Sequence, residues 1–67
     1  MEEIICKNIY KRRTDKNLTQ EYMAEEMNVT QSYYSRIERG KKNITVKELL
    51  KISRVLNIMP EELFKCY

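Results

Sequence analysis

Apolar residues recur along the chain at helical spacing, nowhere in the sustained alternation of a half-buried strand. Over residues 4–16, Ile5, Cys6, Ile9, Tyr10 and Arg13 share one face, while Lys7, Asn8 and Lys11 point away. That spacing predicts a first helix with Tyr10 in the core. Thr19 then suits an N-cap for a second helix over 20–27. Its inward residues are Gln20, Met23, Ala24 and Met27, against outward Glu21, Tyr22 and Glu25. Asn28 can take the left-handed conformation that ends a helix, and Thr30 caps the next. In that third helix, over 31–39, Tyr34, Ile37 and Glu38 face inward, opposite Ser32, Ser35, Arg36 and Arg39. Gly40 supplies the positive φ that closes it.

The second half follows the same logic. "Thr45-Val46-Lys47-Glu48" reads as a capping box, with Glu three residues after the capping Thr. It opens a fourth helix over 46–56, whose stripe is Val46, Leu49, Leu50, Ser53 and Leu56, flanked by Ile52. Lys47, Lys51 and Arg54 form its wet side. Asn57 ends it, and Pro60 suits the first turn of a fifth helix over 61–65 carrying Leu63 and Phe64. The expectation is an all-α fold of five short helices, one domain over residues 1–67. The brief step from Met27 to Thr30 joins two helices as in a helix-turn-helix.

Composition narrows the function classes. Sixty-seven residues leave room for one thin core, about 60% of the unfolded surface being buried at this size. The chain has no His, so the commonest general base and metal ligand are missing. Cys6 and Cys66 stand near opposite ends and form no Cys-x-x-Cys pair, so two reduced thiols are expected. A single Gly excludes the glycine-rich phosphate loops. The longest apolar run, Ile4-Ile5-Cys6, is far too short to span a membrane. These counts predict a cytoplasmic binding module, not an enzyme, with no metal or cofactor. The net charge of +3 implies an anionic partner only if the cations cluster. They do between Arg36 and Lys42, where four positive charges face one negative, Glu38.

Residues 18–64, "LTQEYMAEEMNVTQSYYSRIERGKKNITVKELLKISRVLNIMPEELF", resemble the phage repressor and Cro-like helix-turn-helix family. This is the xenobiotic-response-element group of bacterial transcription regulators. The likeness runs back to about Ile5, and its most specific stretches are "LTQEYMAEEM", "SRIERGK" and "LNIMPEELF". It implies a five-helix domain that binds double-stranded DNA, usually as a dimer, and acts as a repressor or activator without catalysis. This sequence departs from the family where Asn28 and Asn57 replace frequent glycines, Ile44 a frequent Pro, and Met59 a capping Ser or Thr. Those changes bear on local stability more than on DNA.

Carried onto this sequence, the resemblance places the third helix in the major groove, with Gln31, Ser32 and Arg36 reading bases. Their side-chain chemistry suits this, since Gln pairs with adenine and Arg with guanine. Tyr33 either touches a thymine methyl or sugar, or covers the helix flank. Gln20, Ser35, Arg39, Lys41, Lys42 and Asn43 are expected on phosphates, with Arg12 as a flanking contact. Arg13 and Glu38 lie on inner helix faces, where an unpaired charge is expensive, and are expected to pair. Ile58, Met59, Leu63, Phe64 and Tyr67 supply a candidate homodimer face, although Leu63 and Phe64 could instead close the monomer core. Half-sites of an inverted repeat would then lie about 34 Å apart. The alternative is an antitoxin-like protein-interaction module with secondary DNA binding, weakened by the lack of a toxin-binding tail beyond Phe64.

Overall fold

The computed structural model describes residues 2–66. In chain order these form α1 (Glu2–Asp15), α2 (Gln20–Met27), α3 (Gln31–Glu38), α4 (Val46–Val55) and a 3₁₀ segment, Pro60–Phe64. The expected fifth α-helix is thus corrected to four α-helices and a short 3₁₀ turn. Met59 precedes the segment in extended conformation and offers no side-chain cap. The Glu62 N–H reaches the Met59 carbonyl at 2.9 Å, the tighter bonding of a 3₁₀ turn. Lys65 is again extended, so no second turn follows.

All four α-helices end in the same way. Asn17, Asn28, Gly40 and Asn57 have φ between 58° and 71°, the left-handed region. The next residue in each case donates its N–H to a carbonyl five residues back: Leu18 to Arg13, Val29 to Ala24, Lys41 to Arg36 and Ile58 to Ser53, at 2.8–3.1 Å. These are Schellman ends, which satisfy last-turn carbonyls and usually add an apolar contact from the donating residue. Leu18, Val29 and Ile58 supply that contact by packing against the core. Lys41 does not. It stays exposed, so the end of α3 lacks the apolar fastening of the others.

The core is drawn from every element. Ile9, Met23, Tyr34, Ile37, Ile52, Leu56 and Leu63 are fully buried. α2 packs on α3 and α4, while α1 packs on α3 and the 3₁₀ segment. Four side chains depart from the periodicity. Tyr10, expected inside, is 56% exposed, its ring lying instead beside the Arg13 guanidinium at 5.3 Å. Asn8, expected outside, is buried because its amide nitrogen donates to the Leu63 carbonyl at 2.9 Å and the Lys65 carbonyl at 2.7 Å. Val46 and Leu50 stand exposed, since α4 buries only the narrower face carrying Ile52 and Ser53, continued by Leu56 just past its end. No helix among the described residues is long and apolar enough to cross a membrane.

Candidate nucleic-acid interface

Two threonine caps set the geometry. The Thr19 hydroxyl accepts the Tyr22 N–H at 3.0 Å and the Thr30 hydroxyl accepts the Tyr33 N–H at 3.1 Å. Each fixes the first turn of its helix while leaving other first-turn amides open, the arrangement that attracts an anion. Between them, residues Asn28, Val29 and Thr30 make the whole connection from α2 to α3. Lys51 of α4 donates to the Met27 carbonyl at 3.4 Å, a cation at the negative end of α2.

Gln31, Ser32 and Arg36 are exposed on α3. Neither Gln31 nor Ser32 spends its side chain on a hydrogen bond among the described residues. The Arg36 guanidinium lies 5.9 Å from the Tyr33 ring centroid. Ser35 is half-buried, whereas Arg39, Lys41 and Asn43 are exposed. Lys42 is less free: its ammonium donates to the Asn43 carbonyl at 2.8 Å and to Glu48 at 3.2 Å. Arg12 is engaged elsewhere, with Glu62 of the 3₁₀ segment at 2.7 Å.

Beneath α3 lies a buried carboxylate. Arg13 grips Glu38 with both ends of its guanidinium, Nε to Oε2 at 2.7 Å and Nη2 to Oε1 at 2.9 Å. The Tyr34 hydroxyl donates to Oε2 at 2.6 Å, and the Gln20 amide nitrogen to Oε1 at 3.0 Å. Burial alone would raise the Glu38 pKa, but the Arg13, Tyr34 and Gln20 hydrogen bonds outweigh it and hold the carboxylate below its ordinary range. Glu38 in turn raises Arg13, and burial followed by the Glu38 contact raises Tyr34. The negative charge between Arg36 and Lys42 is therefore spent inside the protein, while Arg36, Arg39 and Lys41 face solvent and Lys42 is half-buried beside Glu48.

Glu48 is a second carboxylate hub that sequence reasoning assigned only to capping. Its capping box with Thr45 is complete, with the Thr45 N–H on Oε1 at 3.0 Å and the Thr45 hydroxyl accepting the Glu48 N–H at 3.1 Å. It also accepts the Tyr33 hydroxyl on Oε2. Burial would raise its pKa, but the Thr45 N–H, Tyr33 and Lys42 hold it low. Tyr33 and Glu48 stand on different helices, so no local periodicity could have joined them.

The candidate dimer residues separate. Leu63 is fully buried, closed into the core by α1 and α4, and is removed from any exposed face. Ile58 is half-buried as the apolar contact of the α4 end. Met59 and Phe64 remain 61% and 42% exposed. Tyr67 lies outside the described residues.

The helix-turn-helix family profile HTH_3 matches residues 9–63. The control protein C.MunI of a Mycoplasma species is 43% identical over 58 residues, covering 87% of this chain and 76% of that one. The control protein C.BamHI of Bacillus amyloliquefaciens is 36% identical over 52 residues, covering 78% and 64%. The crystal structure of the restriction-modification controller protein C.AhdI from Aeromonas hydrophila superposes with a TM-score of 0.85 at 34% identity, covering 91% and 92%. The segment that holds the two capped helices and their three-residue turn is thus matched by profile, sequence and backbone together. This chain belongs to the helix-turn-helix family, in its phage repressor and Cro-like group of DNA-binding transcription regulators.

Proposed function

We propose that the chain is a controller protein of a restriction-modification locus, binding an inverted-repeat operator as a homodimer and repressing transcription by occupying it. The single observation that carries this reading is the outer face of α3. Gln31, Ser32 and Arg36 stand exposed there beside Arg39 and Lys41, above a carboxylate neutralised from below. Gln31, Ser32 and Arg36 discriminate bases. Gln20, Ser35, Arg39, Lys41, Lys42 and Asn43 set the register on phosphates, through side chains and the open amides of α2. The C.MunI, C.BamHI and C.AhdI likenesses support the controller role.

A dimer is needed because one α3 covers too few base pairs for tight, selective binding. Met59 and Phe64 are its exposed apolar contacts, with Ile58 behind them. The test is selection from a random duplex library at about 150 mM salt, where non-specific binding is weak. An inverted repeat with half-site centres about 34 Å apart is the expected product. Recovery of no preferred sequence from folded protein would overturn the reading and favour the antitoxin-like alternative.

A further inference from the structure

Tyr33 occupies the flank of α3 beside the proposed base readers, yet its side chain is turned toward α4. It is half-buried against the core, and its hydroxyl donates to Glu48. The other oxygen of that carboxylate takes the Lys42 ammonium at 3.2 Å and the Thr45 N–H at 3.0 Å. The Lys42 ammonium also lies 5.1 Å from the Tyr33 ring centroid, and Arg36 approaches the same ring. One carboxylate therefore ties α3, the basic loop and the first turn of α4.

A capping box requires only Thr45 and Glu48, so the bonds from Tyr33 and Lys42 are additional. They act where the fold is least fastened. The loop leaves α3 through the one Schellman end whose donating residue, Lys41, makes no apolar contact with the core. A free carboxylate beside phosphate-binding cations would also repel DNA, whereas this one is held by two donors from the DNA-facing elements themselves.

We propose that the Tyr33–Glu48 contact sets the basic loop against the base-reading face of α3, so that base and phosphate contacts engage together only on the right sequence. Tyr33 and Glu48 are then positioning residues for specificity, and Tyr33 reads no base. The inference rests on the proposed DNA reading.

The experiment uses the full chain, the selected operator and a scrambled duplex of equal length, with Y33F and E48Q. Y33F keeps the ring and loses the donor. E48Q keeps the N3 capping bond, which Gln also makes, and loses the charge. Each variant is expected to weaken operator binding by about tenfold, the scale of one hydrogen bond to a charged group. Scrambled duplex should bind Y33F as before, and E48Q more tightly with steeper salt dependence, because Lys42 is released. The double variant should bind operator no more weakly than the weaker single. Repeated selection should return the same preferred base at every position, with the loss of discrimination spread over the site and not confined to one base pair. A changed preference at one base pair with Y33F would make Tyr33 a reader and overturn the inference. So would parallel losses on operator and scrambled duplex, which a purely structural contact gives. A wild-type chain that selects no sequence would instead overturn the DNA reading, and this inference with it.

Discussion

Arg13 of α1 and Glu38 of α3 meet through two parallel hydrogen bonds of 2.7 and 2.9 Å, with side chains only 10% and 2% exposed. The pair is shared, since Tyr34 and Gln20 donate to the same carboxylate and Arg13 also donates to the Leu18 carbonyl at 2.8 Å. The inner side of α3 is thereby fixed to α1, to α2 and to the end of α1 itself. Glu38→Ala should cost about 3 kcal/mol or more, because Arg13 is left buried without its counter-charge. Denaturant titration of the variant checks this. Replacing both residues by apolar side chains of similar volume should cost much less.

The same carboxylate predicts how stability responds to acid. The Glu38 pKa is lower in the folded chain than its ordinary value of 4.5, so the unfolded chain binds the proton more readily. Its contribution is complete above that ordinary value and is lost as pH falls through the depressed folded pKa. The stability difference between wild type and Glu38→Gln should therefore be largest at neutral pH and shrink toward about pH 3. A gap that stays constant across that range would show that the carboxylate charge is not what stabilises the pair.

Asn8 performs for the C-terminal segment what a cap performs for a helix. Its amide holds the carbonyls of Leu63 and Lys65, and Arg12 one turn on pairs with Glu62. Asn8→Ala strands the buried Leu63 carbonyl and should cost about 1–3 kcal/mol. Hydrogen exchange should show the loss concentrated in residues 60–66. Asn8→Asp should fail to rescue, because a carboxylate cannot donate to these carbonyls.

Much of this architecture was legible because it is local. Thr19, Thr30 and Thr45 announce helix starts, and Asn28, Gly40 and Asn57 announce ends, through chemistry confined to a single turn. Asn17 was missed because it sits among Lys16, Leu18 and Thr19 with no break in polarity to mark it. The unread features are those that depend on a distant partner. Asn8 and Tyr10 lie on different faces of α1, and Asn8 is buried because the carbonyls of Leu63 and Lys65, more than fifty residues away in the chain, accept its amide. Val46 and Leu50 belong to a plausible apolar stripe, yet the packing of α2 and the 3₁₀ segment covers a narrower strip of α4. In the candidate interface, exposure of Gln31, Ser32 and Arg36 follows from helix period alone. The engagement of Lys42 by Glu48, and of Arg12 by Glu62, needed the fold.

The proposed dimer face makes a separate prediction. Met59, just before the 3₁₀ segment, and Phe64, its last residue, are exposed apolar residues, and neither is needed to close the core as Leu63 is. Phe64→Asp should raise the dimer dissociation constant by more than about tenfold, a loss of the size that one apolar anchor supplies. The melting temperature of dilute, monomeric protein should change little. Sedimentation equilibrium at several concentrations measures both species. An unchanged dimer would move the interface elsewhere, with exposed Val46 and Leu50 on α4 as the next surface to alter.

The division between reading and positioning gives the last prediction. Arg36 is exposed on α3, near the Tyr33 ring, and makes no side-chain hydrogen bond or ion pair among the described residues, so its five donors remain available to a base edge. Arg36→Ala should cost about 1–3 kcal/mol on the operator and relax preference at one base pair. Lys41 is exposed and makes no side-chain bond among the described residues, so its whole charge is available to a phosphate. Lys41→Ala should weaken operator and scrambled duplex alike and reduce the salt slope by about one. Lys42→Ala should change that slope by less, because part of its charge is already offset by Glu48 at 3.2 Å. Binding titrations across a salt series separate the three. If Lys42→Ala flattened the slope as much as Lys41→Ala, the ammonium would have left Glu48 for phosphate in the complex.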